Sequence, residues 1–347
     1  MKNLIDKLYK ERTLSREEFA QLITNYTPED KEYLFTLARE VQQNHYGKKV
    51  YTRGLIEFTN YCKNDCLYCG IRCSNAKASR YRLTKEEILE CCQQGYGLGF
   101  RTFVLQGGED ATYTDEKMVD IISTIRANYP DCAITLSVGE KSYETYKKYF
   151  DAGANRYLLR HETATDEHYG KLHPPKMLLS DRKQCLYDLK KIGYQTGTGF
   201  MVGSPYQTVD NIITDLFFME ELKPEMIGIG PFLSHHDTPF AGFANGTAEL
   251  TTLLMAILRL MHPSALIPST TALGTAEGDG REKGVLAGGN VVMPNLSPNA
   301  VRKKYLLYDN KICTDDEAAE NVLSLKRRMA TIGYDLTGER GDYIPKD

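Results

Sequence analysis

Residues 54–70 run Gly54-Leu55-Ile56-Glu57-Phe58-Thr59-Asn60-Tyr61-Cys62-Lys63-Asn64-Asp65-Cys66-Leu67-Tyr68-Cys69-Gly70. The first six residues are a strand candidate, and three cysteines follow within a short loop. Three thiolates can hold three irons of a [4Fe–4S] cluster and leave the fourth iron without a protein ligand. An open iron can bind a small molecule and pass it an electron, whereas four ligands close the site. Cys73 lies three residues beyond the set. Zinc knuckles come as two short cysteine pairs well separated in sequence, which suits four crowded cysteines poorly. A closed ferredoxin-type run has a first gap one residue shorter. Cys73 is therefore expected to be a spare thiol.

Outward from this stretch, strands and helices alternate. Strands are expected at 54–59, 102–106, 133–138, 156–160, 195–202, 226–229, 265–268 and 290–293. Helices are expected from 84, over 116–127, 143–152, 181–192, 209–222 and 249–261, and after 280. Such alternation is the signature of parallel βαβ units, and eight strands match an α/β (βα)8 barrel of the TIM type. The runner-up is an open doubly wound sheet. The expected organisation is a helical extension over 1–50, a barrel over 51–310 and a C-terminal segment over 311–347 packing on it. Ser15 to Glu18 and Thr27 to Asp30 are helix-start signals in the extension.

The chain has 347 residues and a net charge of −3. That balance makes no electrostatic case for nucleic acid. No apolar run approaches the ~20 residues that cross a bilayer, so no membrane partner is expected. Nine cysteines without regular spacing fit a reducing cytoplasm better than a disulfide framework.

Ligand sites in such barrels sit at the C-terminal strand ends, where the remaining motifs fall. After the second strand, Gln106-Gly107-Gly108-Glu109 offers a backbone that a ligand can approach closely. Ser137 ends the third strand. Arg160-His161-Glu162-Thr163 ends the fourth, a charged cluster that is costly to bury unless paired or ligand-bound. His161 is expected to point away from the pore. Thr270 and Thr271 end the seventh strand with hydroxyls suited to an anion. His235, His236 and Asp237 have a metal-like composition, but adjacent residues rarely point at one ion, so loop structure is expected.

The C-x3-C-x2-C spacing with Tyr68 before the last cysteine resembles the radical S-adenosylmethionine (SAM) superfamily. Residues 56–60, 157–163, 228–232, 237–239, 267–272 and 290–295 resemble one family within it, the [FeFe]-hydrogenase maturase HydE family. The resemblance implies a radical SAM enzyme with two cofactors, a [4Fe–4S] cluster and SAM. One electron cleaves SAM to methionine and a 5′-deoxyadenosyl radical, and the protein supplies position and exclusion of water. It implies Cys62, Cys66 and Cys69 as the catalytic cluster ligands. It implies Gly107, Gly108, Glu109, Ser137, Glu162 and Arg182 at SAM. It implies Arg53, Arg160, Thr270, Thr271 and Tyr305 around an anion-accepting substrate cavity; guanidinium and hydroxyl groups suit that chemistry. The implied substrate is a cysteine-derived iron carbonyl cyanide species on the way to the hydrogenase diiron subcluster. The implied partners are a reductase or ferredoxin as electron donor, the tyrosine-cleaving maturase and the GTP-binding scaffold maturase. The C-terminal region offers only Cys313, so a second cluster is not expected. Other readings are a lysine mutase of the methylornithine synthase kind, another biotin synthase-related enzyme, and a non-catalytic iron–sulfur or zinc-binding carrier.

Overall fold

The computed structural model describes residues 1–312 and 318–345. Three helices open the chain: α1 (Lys2–Glu11), α2 (Arg16–Thr24) and α3 (Pro28–Tyr46). Both start signals form capping boxes, Ser15 with Glu18 and Thr27 with Asp30, the second with Pro28 at the first turn. Each box satisfies two otherwise orphaned amide donors.

The barrel follows. Its first strand is interrupted at Arg53, giving β1 (Lys49–Thr52) and β2 (Gly54–Thr59). Then come α4 (Lys85–Gly97), β3 (Thr102–Gly107), α5 (Asp115–Asn128), β4 (Ala133–Ser137) and α6 (Tyr143–Asp151). Next are β5 (Arg156–Leu158), α7 (Asp166–Leu172), α8 (Leu179–Ile192), β6 (Gln195–Thr198) and β7 (Met201–Val202). The chain continues through α9 (Val209–Leu222), β8 (Met226–Ile227), β9 (Gly230–Pro231), α10 (Ala248–Met261), α11 (Thr271–Ala276) and α12 (Gly280–Leu286). It ends with β10 (Val291–Val292), α13 (Asn299–Arg302), α14 (Ala318–Thr331) and β11 (Asp335–Thr337).

Strands β2-β3-β4-β5-β6-β8 form one parallel sheet. Single bridges continue it from Met226 to Leu266 and from Pro268 to Val291. The Leu55–Asn295 bridge closes the ring onto β2. The seventh strand is reduced to two bridges. Pro268 lacks an amide donor, and the Asn290 side-chain oxygen takes the Ile267 amide at 2.8 Å. The fifth strand breaks at Gly199, where an added Cβ would lie 2.1 Å from the Gly228 carbonyl oxygen. The helices over 166–172, 271–276 and 299–302 were not expected; they are short and lie inside connections.

Two large cores fill the space between strands and helices, one around β2–β5 with α4–α8 and one around α9 and α10. Helix α10 is buried from Thr251 to Met261 on every face. A helix apolar all round needs cover on its outer side as well. Leu34, Phe35, Ala38 and Val41 of α3 and Ile5 and Leu8 of α1 supply it. Strand β11 pairs with β1 beneath the barrel, and Arg340, Gly341 and Asp342 accept hydrogen bonds from buried Arg156. The C-terminal strand ends are left open to ligand. Among the described residues no helix is long and apolar enough to cross a membrane. Cys313 lies outside the described residues.

Candidate active site

Strand β2 delivers the cysteine loop to the barrel mouth. Fully buried Asn60 stitches the two ends of that loop together. Its amide nitrogen donates to the Ser79 carbonyl at 2.8 Å and to the Lys304 carbonyl at 2.6 Å, and its oxygen accepts from the Tyr81 amide at 2.8 Å. Arg72 and Asp65 form a bidentate pair at 2.7 Å within the loop, which holds the Asp65 carboxyl well below its usual range. The Cys73 amide donates to Asn64 while its side chain is exposed.

Cys62, Cys66 and Cys69 all line one cavity of about 330 Å³. Burial pushes all three thiols up, Cys69 to about 12, and their neighbours' negative charges add to the effect. Three bare thiolates are thus unfavourable here, and a cationic iron–sulfur core would stabilise them, releasing protons on uptake. The Gly107-Gly108-Glu109 turn packs on this loop. A Cβ on Gly108 would sit 2.2 Å from the Tyr61 carbonyl oxygen, and the Glu109 amide donates to Cys62 Sγ at 3.4 Å. Were Cys62 to hold a cluster, this amide would be one of the protein's levers on its potential. The Glu109 carboxylate turns to the Glu140 amide at 3.1 Å and to Lys63 at 3.1 Å.

Across the cavity stand Ser137, Arg160, Glu162 and Arg182. Arg160 and Glu162 face each other at 3.0 Å, and Arg160 Nε is buried without a hydrogen-bond partner among the described residues. Arg182 meets Glu140 at 2.7 Å; burial holds the Glu140 carboxyl above its usual range while Arg182 opposes it. Glu162 has a φ of +64°. That conformation costs a non-glycine residue about 1–3 kcal/mol and persists only where the surroundings enforce it. Tyr68 contacts His173 Nε2 through its hydroxyl at 3.2 Å.

A second wall carries Thr270, Thr271 and Tyr305. The Thr270 hydroxyl caps α11 by accepting from the Leu273 amide. Thr271 accepts from Arg281 at 3.3 Å, and Gln106 donates to the Tyr305 hydroxyl at 3.4 Å. Arg53 corrects the expectation, because it does not line this cavity. It sits at the N-terminal end of β2, donating to Met226 Sδ at 3.0 Å and lying near Arg156. The break between β1 and β2 turns it to the barrel floor, where burial lowers its guanidinium strongly.

Glu57, Arg281 and Lys311 line the cavity and were missed. Glu57 is buried and pairs with Lys311 at 2.6 Å and Asn295 at 2.8 Å. Glu57 alternates with Leu55 on β2, and an acid in that apolar strand was a legible signal. Lys311 had none, since it lies past the last barrel strand. Its segment straps over the mouth: the Gly70 amide donates to Leu307, and His236 pairs with Asp309 at 2.7 Å. His235, His236 and Asp309 cluster closely enough to hold an ion. The His235 Nδ1 accepts from the Asp237 amide at 3.1 Å, and these side chains act as the latch of the strap.

The family model that matches, over residues 56–219, is the radical SAM superfamily. The [FeFe] hydrogenase maturase subunit HydE of Thermotoga maritima is 40% identical over 332 residues, covering 96% of this chain and 94% of that protein. The chain belongs to the HydE family of the radical SAM superfamily. A 3-methylornithine synthase of Methanosarcina barkeri is 30% identical, covering 95% of this chain and 93% of that one. The solved structure of methylornithine synthase superposes with a TM-score of 0.84 at 29% identity, covering 96% and 97% of the two chains. As a HydE-family chain this is a radical SAM enzyme on a (βα)8 barrel, and its cofactors are a [4Fe–4S] cluster and SAM. The three thiols, the amide on Cys62 Sγ and the partnerless Arg160 nitrogen fit that pair of groups.

Proposed function

We propose that this chain is a hydrogenase maturase that acts on a cysteine-derived iron carbonyl cyanide species during assembly of the [FeFe]-hydrogenase diiron subcluster. The observation that carries the reading is one cavity joining the three cysteines to a wall of hydroxyls and cations, Thr270, Thr271, Arg281 and Lys311. The identity to a maturase along nearly the whole chain supports it.

In this reading Cys62, Cys66 and Cys69 hold the cluster. Gly107, Gly108 and Glu109 present backbone to SAM, and Ser137, Glu162 and Arg182 bind its polar groups. The cluster and SAM together supply one electron and a carbon-centred adenosyl radical. Arg160, Thr270, Thr271 and Tyr305 orient the anionic substrate beside it, and the strap at 304–312 excludes water. Arg53, at the floor, has no direct contact with the substrate. A reductase or ferredoxin delivers the electron, and the tyrosine-cleaving and GTP-binding maturases stand before and after this enzyme.

The likeness to methylornithine synthase favours a second reading, a lysine mutase. Anaerobic reconstitution with iron and sulfide, then SAM and dithionite, is expected to give 5′-deoxyadenosine; none would make the chain a carrier. Adding L-lysine separates the two enzyme readings: formation of methylornithine would overturn the maturase, and its absence, with activation of a hydrogenase by the complete maturase set, would support it.

A further inference from the structure

We infer that His161 and Asp215 are positioning residues for SAM, forming a buried clamp that holds the strained backbone at Glu162. The inference rests on the reading of Glu162 as a SAM contact.

Glu162 occupies the centre of a three-residue turn, with the Thr163 amide donating to the His161 carbonyl at 2.8 Å. A turn closed this way with positive φ is rare and strained. Backbone bonds from the Leu159 amide to Gly197 at 2.9 Å and from the Glu162 amide to Gly199 at 3.1 Å tie the segment to the fifth barrel strand. They register the segment without selecting the turn. The side chain of His161 points opposite to those of Arg160 and Glu162, into the space between β6 and α9. Its Nδ1 lies 2.8 Å from Thr198 Oγ1 and its Nε2 lies 3.4 Å from Asp215 Oδ1. The same Asp215 oxygen accepts from the Ala164 amide. One carboxylate thus accepts a hydrogen bond from the residue two beyond Glu162 and stands in close polar contact, without a formed hydrogen bond, with the residue before it.

Both side chains are fully buried. Asp215 is carried by α9 among the apolar Ile212, Leu216 and Met219, a setting that disfavours a charge lacking a dedicated partner. Burial pushes its carboxyl up, and the His161 contact and the Ala164 amide oppose that. A carboxylate kept there against its desolvation is explained by the turn it holds. With the clamp in place, Arg160 and Glu162 are presented to the cavity as a pair.

The test is calorimetric titration of SAM into the cluster-loaded full chain carrying His161→Ala, His161→Gln, Asp215→Leu or Asp215→Asn. His161→Ala is expected to weaken SAM at least tenfold, with iron per chain unchanged and turnover at saturating SAM within about threefold. His161→Gln, able to span Thr198 and Asp215, is expected to recover most of the loss. Amide exchange at 160–164 is expected to quicken in cluster-free His161→Ala. A folded His161→Ala with parental SAM affinity would overturn the clamp. Should that variant fail to fold, Asp215→Leu decides in its place: it fills a similar volume without the oxygen that accepts from Ala164, is expected to weaken SAM, and unchanged affinity overturns the clamp. Asp215→Asn, which keeps that oxygen, is expected to lose less. Glu162→Gln is the control: if it leaves SAM affinity unchanged, the reading of Glu162 fails, and if it weakens SAM while His161→Ala and Asp215→Leu do not, the clamp alone fails.

Discussion

The floor and the mouth of the barrel both bury guanidinium groups, and they treat them differently. At the floor, Arg156 donates to Gln195, Thr102, Arg340, Gly341 and Asp342 at 2.8–3.2 Å. Arg259 donates to three carbonyls and to Asn290 at 2.7–3.2 Å. These two are structural staples whose donors are spent on the chain itself. At the mouth, Arg160 keeps a buried donor without a hydrogen-bond partner among the described residues. A buried polar group left in that state is costly, and a ligand that fills it recovers the cost as affinity. Arg53 is the exception at the floor, with Nε and Nη2 also lacking hydrogen-bond partners among the described residues. The contrast is therefore between Arg156 and Arg259, which staple the fold, and half-buried Arg160, which faces the cavity.

The contrast breaks most easily at the cysteine loop. Cys66→Ala is expected to lower 5′-deoxyadenosine formation to background, at least a hundredfold, with the thermal midpoint of the cluster-free protein unchanged. The loop is held by Asn60 and Arg72 and not by the thiol. Continued SAM cleavage would remove the ligand assignment.

At the floor the opposite pattern is expected. Arg156→Met leaves the Arg340 and Gly341 carbonyls without this donor and should lower stability by about 1–3 kcal/mol, read from urea unfolding. Asp342 is part-exposed and keeps Arg340 and Gln195 as partners, so its loss is screened. SAM affinity of the folded fraction should not change. A floor variant that weakened SAM as much as it lowered stability would erase the division between the two ends.

Glu162→Gln is expected to weaken SAM about tenfold, or about 1.4 kcal/mol, with little change in unfolding midpoint. A large loss of stability instead would return Glu162 to a structural role.

The most gradual effect concerns two histidines, one at each end, buried His173 and half-buried His262. Burial pushes His173, beside Tyr68, down to about 3 and His262, beside Arg259, down to about 4. Both are neutral when folded at neutral pH, while the unfolded chain takes up their protons near 6.5. Their contribution is complete above pH 6.5 and is lost as pH falls toward 4 and 3, by up to about 1.4 kcal/mol per pH unit for each. Acid unfolding titrations of His173→Gln and His262→Gln should each show a flatter slope in that window. An unchanged slope in either would show that its partner groups and not burial govern it.

Local periodicity and punctuation carried most of the fold. The α9 bounds of 209–222 follow from its own heptad-like apolar spacing and the Thr208 cap. The seventh strand was legible as an apolar run but not as a ladder, because Pro268 and the Asn290 side chain rewrite its hydrogen bonds. Cavity-lining residues were legible where they sit on one short segment: the cysteine loop, the Gly107-Gly108 turn, and Arg160 with Glu162. Arg53 was misplaced although it precedes the strand expected at 54–59: a residue at the N-terminal end of a barrel strand lies at the floor, away from the ligand end.

The cysteine loop by itself offered three thiols to one cluster with a fourth iron left open, because three thiols on one loop are a local property of the chain, and the radical chemistry came from the family resemblance. Only the tertiary structure decided that Lys311 meets Glu57 across 254 positions, that Asp342 closes on Arg156, and that Asp215 takes the Ala164 amide beside Glu162 while standing against the His161 ring. These are long-range contacts between charges, and their partners are chosen by which buried group would otherwise be left unpaired.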